Sequence, residues 1–299
     1  MDLRRLTYFL AVAEHEGFTS AAKALFVSQP ALSLAVRELE EELGVELFRR
    51  LGRGVRLTPA GEALVGPVRQ TLRDIETAKA AVAAVSGLET GTLSIASLPT
   101  LAADPLPDLV GRFRALHPGV IVDLAAPEDT AELAELLTQG QSEMGLAEPV
   151  ALPPTLITHE LGEQRLFFIF PPGTSPGCRS LPVQEIGQVP LIAAPEGTST
   201  RRLLDEAFAA VGLTPTVRVV AAQREAILPL VAAGAGAAMV PETLARRAEL
   251  LGAIVVEPRP AITRRLVLAH RAGPLAPAAA RFAELALERR PRRRPVSQG

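Results

Sequence analysis

The stretch SQPALSLAVRELEEEL, Ser28 to Leu43, decides how the rest of the chain is read. Ser28 can cap a helix by accepting a hydrogen bond from a backbone N–H two or three residues on. Pro30 falls in the first turn, where a missing N–H costs nothing. Leu32, Val36, Leu39 and Leu43 recur at spacings of four, three and four and wind into one apolar stripe, and Gly44 stops the helix. Gln29, Ser33 and Arg37 run beside that stripe and face outward. This is the pattern of a helix that lies in the major groove of DNA. The acidic run Glu40, Glu41 and Glu42 would repel phosphate, which restricts groove contact to the N-terminal half.

Upstream, Leu3, Leu6, Phe9, Leu10 and Ala13 keep the helical period, so a first helix spans about residues 2–16, with Gly17 at its end. Thr19 is the expected cap of a short second helix over 20–25, with small Ala21, Ala22 and Ala24 for close packing. Phe26 and Val27 form the turn. A short helix, a tight turn and a longer helix with a polar face make a helix-turn-helix unit. Downstream, Leu47 and Phe48 anchor to the core, and LGRG turns back into a short strand over 55–57, forming a wing. Arg53 at its tip is placed to enter the minor groove, whereas Arg49, Arg50 and Arg56 suit phosphates. The net charge is −2, so DNA affinity has to come from this local patch, which contains no acid.

SQPALS, LEEELGVELF, R-x-x-R and LTPAGE, in this order and spacing, resemble the DNA-binding region of LysR-type transcriptional regulators, over about residues 3–62. The resemblance implies a multidomain fold: an N-terminal winged helix-turn-helix, mainly α, on a long linker helix, followed by an α/β effector domain of two Rossmann-like, periplasmic-binding-protein-like subdomains. It also implies a homotetramer. In that family the residues matching Gln29, Pro30, Ser33 and Arg53 contact DNA; Ser28 and Arg37 complete the set expected from the helix itself. Positions 34 and 35 depart from the common pattern. Many relatives carry Arg and Gln there, so contacts made through Leu34 and Ala35 are expected to be absent, and Leu34 either packs on the wing, touches a thymine methyl or touches nothing.

Thr58 caps a further helix with Pro59 at its first position. The capping-box acid is displaced by one, Gly61 holding the third position and Glu62 following. Val68, Ile75 and Val82 recur every seven residues with Leu64, Thr71, Ala78 and Val85 interleaved, approximating a heptad seam. Leu64, Val68, Ile75 and Val82 are therefore the dimerisation candidates. A dimer would space two recognition helices about 34 Å apart and read both halves of a palindromic double-stranded site.

From residue 91 onward strands and helices alternate. Strands are expected near 92–97, 120–125, 143–147, 156–161, 166–170, 191–194, 217–221, 237–240 and 266–270. Helices are expected at 105–116, 130–138, 200–211, 224–233, 241–249 and 276–289. Such repeats make two small, largely parallel open sheets covered on both faces, with ligands beyond the carboxyl ends of strands. Ser97-Leu98-Pro99-Thr100 and Gly197-Thr198-Ser199-Thr200 both meet that description. The family resemblance turns Ser97, Leu98, Thr100, Thr198 and Ser199 into effector-site candidates. Glu128 and Glu148 are also candidates for the cleft and would disfavour an anion, while Arg201 and Arg202 pull the other way. Chain crossings between the halves are expected near 161–164 and 264–268. The expected division is 1–58 for the winged head, 59–90 for the linker and 91–299 for the effector domain, its halves being about 91–161 with 268–299 and 162–267.

The chain has 299 residues, 48% of them hydrophobic, enough for two or three cores. No run of eighteen apolar residues occurs and MDLRRLTYFL leads straight into an amphipathic helix, so a cytoplasmic protein without a membrane partner is expected. One cysteine, Cys178, allows neither an internal disulfide nor a cysteine-rich metal site. His15, His117, His159 and His270 lack metal-ligand spacing, and no P-loop or GxSxG occurs; no catalytic residue, metal or cofactor is expected. A solute-binding protein is the alternative of similar C-terminal fold, but it calls for a signal peptide and no DNA-binding head. A redox-responsive regulator independent of an effector would have to act through Cys178 alone. The basic, proline-punctuated ending RRPRRRPVSQG reads as a disordered tail. Cys178→Ser is expected to leave DNA binding and its ligand response intact; a mobility shift that stops responding in this variant would assign the cysteine a sensing role.

Overall fold

The computed structural model describes residues 1–51, 54–85, 91–150, 152–174 and 177–288. The N-terminal head opens with α1 (Leu3–Glu14), capped by Asp2, whose carboxylate accepts from the Arg5 N–H at 2.8 Å. α2 (Phe18–Ala24) begins at Gly17 and not at Thr19. Ser20 explains the shift: its hydroxyl lies 2.9 Å from the carbonyls of both His15 and Gly17 and ties the helix start to the end of α1. α3 (Gln29–Leu43) is capped as expected, with Ser28 accepting from the Ala31 N–H and Gly44 at φ 72°. Leu32, Val36 and Leu39 are buried against Leu6, Phe9 and Val12. Leu43 ends the stripe in solvent, and Ala35 takes its place inside.

The wing has two strands, β1 (Phe48–Leu51) and β2 (Gly54–Leu57), paired antiparallel with Arg49 opposite Arg56 and Arg50 opposite Val55. β1 goes beyond the sequence expectation, because Phe48 reads as a core anchor; it is both, with its ring 5.4 Å from that of Phe9 and 5.7 Å from that of Phe18. Glu40 corrects the reading of the acidic run. Its carboxylate accepts from the N–H groups of Leu47 at 2.7 Å and Phe48 at 3.2 Å, so it clamps the root of the wing. Glu42 is likewise engaged, by the N-terminal ammonium and by Arg5. Glu41 remains exposed.

α4 (Pro59–Val85) starts from Thr58, whose hydroxyl accepts from Gly61 N–H at 3.1 Å and donates to Glu46 O at 2.7 Å. A Cβ on Gly61 would stand 2.2 Å from the Leu47 carbonyl, so only glycine lets the helix pass this close to the wing. The heptad expectation is corrected in its first half. Val68 is 2% exposed and belongs to the core of its own head, with Leu64 packed half-buried beside it. The face that remains open lies further along, at half-buried Ile75 and 71% exposed Val82.

The C-terminal part is built on one ten-stranded mixed sheet, in place of the two separate sheets expected. β3 (Gly91–Ser97), β4 (Val120–Ala125) and β5 (Met144–Ala147) form the first lobe with α5 (Pro99–Ala103), α6 (Leu106–Leu116) and α7 (Thr130–Thr138). β6 (Leu156–Phe170) is a single strand of 15 residues, fusing the two that the sequence suggests. The second lobe holds β7 (Ser180–Pro182), α8 (Val183–Ile186), β8 (Leu191–Ala193), α9 (Ser199–Ala209), β9 (Val217–Val220), α10 (Ile227–Ala232), β10 (Ala237–Pro241), α11 (Glu242–Leu250) and β11 (Ile254–Arg259). β12 (Ile262–Arg271) then returns to the first lobe, where α12 (Pro277–Leu287) packs.

The spatial order is β4-β3-β5-β12-β6-β10-β8-β9, with β11 and β7 joined alongside β6. β6 and β12 pair antiparallel from Leu166↔Ile262 to Leu156↔Arg271, interrupted by one bulge near Leu266. Their pairing makes the sheet continuous across the lobes. Both faces are covered in the second lobe: Phe168 and Phe170 pack on one side with Phe208, and Ile169 on the other with Ile192 and Val240.

Gly61→Ala is expected to lower the unfolding free energy by about 1–3 kcal/mol, read by urea denaturation. Gly111→Ala, on an open face of α6, should instead be neutral or stabilise by up to about 1 kcal/mol.

Candidate functional site

Two surfaces carry chemistry. The first is the outer face of α3 with the wing. Ser28, Gln29 and Pro30 are exposed at the free N-terminus of the helix, and the Gln29 amide donates to Ser33 Oγ at 2.9 Å. Arg37 is exposed one turn on from Ser33. Arg49 and Arg56 stand opposite each other across the wing, both exposed. Like charges facing across a strand pair repel, a cost relieved when a polyanion lies against them. Arg50 lies in the same ladder, and Arg53 falls outside the described residues.

The second surface is a cleft between the lobes. Pro99, Thr100 and Ala103 line it from the first lobe, and Ile192, Thr200, Leu204, Arg224, Ile227 and Met239 from the second. Most of its wall is apolar, and its cavity measures about 50 Å³. Thr200 Oγ1 and Arg224 Nε are buried and have no hydrogen-bond partner among the described residues. Burial lowers the pKa of Arg224, and the carboxylates of Glu128 and Glu225 oppose that shift.

Behind the cleft wall lies a buried charge network. Arg264 is 3% exposed and donates to Thr100 Oγ1 at 2.9 Å and to Gln164 Oε1 at 2.7 Å. Its guanidinium lies 3.5 Å from Glu148, which also pairs with Arg202 of α9. Gln164 in turn donates to the carbonyl and the carboxylate of Asp104, both at 2.8 Å. Burial pulls the Arg264 pKa down to about 10 against the opposing pull of Glu148, so the group stays charged at neutral pH. Since Thr100 accepts from Arg264, its hydroxyl proton is free to donate into the cleft.

Residues 3–62 match the family model for bacterial regulatory helix-turn-helix proteins of the lysR family, and residues 86–291 match the LysR substrate binding domain. The chain belongs to the LysR family of transcriptional regulators. It is 32% identical to the regulator TfdS of Cupriavidus pinatubonensis over 82% of this chain and 84% of that one. Its identity to IlvY of Escherichia coli is 33%, covering 82% and 83%. Among solved structures it superposes on full-length CbnR complexed with its target DNA with a TM-score of 0.68 and 25% identity, over 96% of this chain and 99% of that one. A full-length OxyR variant from Pseudomonas aeruginosa shares the fold, with a TM-score of 0.76 at 24% identity over 96% and 93% of the two chains. The protein is thus a DNA-binding transcriptional regulator with an effector-binding domain. No helix among its described residues is long and apolar enough to cross a membrane.

Within this LysR-family frame the predicted effector residues divide. Thr100 lines the cleft. Ser97 and Leu98 do not: each is 1% exposed, the Ser97 hydroxyl turning to the Leu98 carbonyl and Leu98 entering the first-lobe core. Thr198 is spent as the cap of α9, accepting from Arg201 N–H at 3.4 Å and donating to Pro195 O at 2.8 Å. Ser199 is half-buried at the first position of α9, and the hydroxyl that reaches the cleft belongs to the next residue, Thr200. Glu148 is held in the ion network and Glu128 opposes the shift of Arg224.

Sequence reasoning missed Gln164, Thr200, Arg224 and Arg264. A signal existed for Arg264: in ITRRLVL it shares the strand parity of Ile262 and Leu266, which marks the inward face. Arg264→Ala is expected to lower the unfolding free energy by about 3–5 kcal/mol, because it takes a buried partner from Gln164, Thr100 and Glu148 at once, whereas Arg202→Ala, which leaves Glu148 paired with Arg264, should cost less. Equal losses in urea denaturation would contradict the central place of Arg264.

Proposed function

We propose that this regulator reads a palindromic promoter site as a homo-oligomer and that a small carboxylate bound between its lobes sets promoter activity. The N-terminal half of α3 enters the major groove, with Gln29 and Ser33 at base edges and Ser28, Pro30 and Arg37 alongside. Arg49, Arg50 and Arg56 hold phosphates and Arg53 enters the minor groove. Likeness to CbnR, whose structure is of a complex with target DNA, supports this arrangement. The oligomer forms through the open half of α4, at Ile75 and Val82. No catalytic role is assigned to any residue.

One observation carries the effector class: Thr200 Oγ1 and Arg224 Nε, buried and unpartnered among the described residues, belong to residues that line a mostly apolar cleft, whose other polar lining is Thr100, Asp104, Arg201 and Thr243. Each such buried group costs about 1–3 kcal/mol until it is satisfied. A carboxylate accepts from both and from the Thr100 hydroxyl, while an apolar body packs on Leu204, Ile227 and Met239. A cavity of about 50 Å³ holds only a few waters, so the lobes open to admit the ligand and its binding shifts their relative angle.

A mobility-shift assay on the region upstream of the gene tests this reading. Gln29→Ala and Arg53→Ala should weaken binding to the specific site, the first by about 1–3 kcal/mol. Arg49→Ala should weaken all sequences alike and lower the salt slope by about one. A panel of short aliphatic and aromatic monocarboxylates should alter the wild-type shift and not that of Thr200→Val. Unchanged specific binding in both Gln29→Ala and Arg53→Ala would remove their assignment.

A further inference from the structure

The outer ridge of α3 has an apolar side chain at its centre. Leu32, Ala35, Val36 and Leu39 are buried, and at about 100° per residue the opposite side carries Pro30, Leu34, Arg37 and Glu41. All four are exposed, Leu34 by 56%. Among the described residues Leu34 belongs to none of the buried clusters. Glu41 keeps the far end of the ridge away from phosphate. Of the other exposed apolar residues nearby, Phe26 lies in the turn before α3 and Leu43 and Val45 beyond the acidic run, all off this half of the helix. Among the described residues, Leu34 is therefore the one large aliphatic side chain on the outer face of the half-helix that meets the bases, flanked by the Gln29–Ser33 pair.

A leucine offers no hydrogen bond to a base edge. Pressed against the donors and acceptors of guanine, adenine or cytosine it would strip their water and return nothing. The thymine C5 methyl is the apolar group that base pairs display in the major groove.

We propose that Leu34 is a specificity-determining residue that reads a thymine methyl group, selecting a T·A pair at one position of each half-site. The proposal rests on α3 lying in the major groove, as proposed above. Because the contact is apolar, it adds sequence preference without adding to the salt dependence of binding.

The test uses the full-length protein and duplexes it enriches from a random-sequence pool. The enriched site is resynthesised with deoxyuridine replacing each thymine in turn, which removes the methyl and keeps the pairing edge and O4. At one position per half-site the wild type should bind roughly fourfold more weakly, the effect of one methyl group. Leu34→Ala should bind the thymine and deoxyuridine duplexes equally, and Leu34→Met should retain part of the discrimination. Leu34 is exposed, so Leu34→Ala should keep the wild-type melting temperature and affinity for nonspecific duplex. Equal sensitivity to deoxyuridine in wild type and Leu34→Ala overturns the role of Leu34. So does a wild type indifferent to every replacement while still binding the unmodified site; either result leaves groove binding by α3 standing. Enrichment of no sequence at all overturns both.

Discussion

The C-terminal half of the protein depends on a charge it has buried. Arg264 sits on the second of two strands that pass between the lobes, and its partners are Thr100 and Glu148 from the first lobe and Gln164 from the neighbouring crossing strand. An isolated guanidinium at 3% exposure would be prohibitive. It is tolerated because each partner is itself fixed, Gln164 by Asp104 and Glu148 by Arg202 of the second lobe. One network therefore holds the Thr100 oxygen as an acceptor, leaving its hydroxyl proton for the cleft, and ties the lobes together.

The same strand reaches the linker. β12 ends at Arg271, and the carboxylates of Asp74 on α4 and of Glu143 oppose the lowering of its pKa by burial. Arg73, also on α4, opposes in turn the rise that burial imposes on the Glu143 carboxyl. A short run of one strand thus separates a side chain behind the ligand cleft from one that meets the helix carrying the DNA-binding head. Strands β6 and β12 are hydrogen-bonded along this length. At the other end of α4 the helix is packed into the head through Val68 and passes close to the wing at Gly61.

The outer face of α3, the proposed recognition surface, is only partly polar. Its two hydrogen-bonding side chains are paired with each other at the edge of the exposed ridge, while the ridge itself is Pro30, Leu34 and Arg37. The acids that follow are not idle repulsion. Glu40 supplies the wing with two hydrogen bonds and Glu42 fastens the N-terminus, so these charges build the head.

Periodicity and caps along the chain were enough to set out α1, α3, the start of α4, most C-terminal helices and the lobed α/β class, because those signals act between residues a few positions apart. Ser28, Gly44 and Thr58 do locally what their types predict. Tertiary structure alone decided which positions long-range pairing consumes. Thr198 and Thr200 are indistinguishable as hydroxyls near a helix start, yet one is spent on the cap and the other opens to the cleft. Val68 fits a heptad seam as well as a core, and the fold of the head chose the core. The register between β6 and β12 brings Gln164 and Arg264, 100 positions apart in the chain, within 2.7 Å. A one-dimensional pattern specifies the face a side chain occupies; only the closed structure specifies what waits on that face, since burial and charge pairing depend on residues remote in the chain.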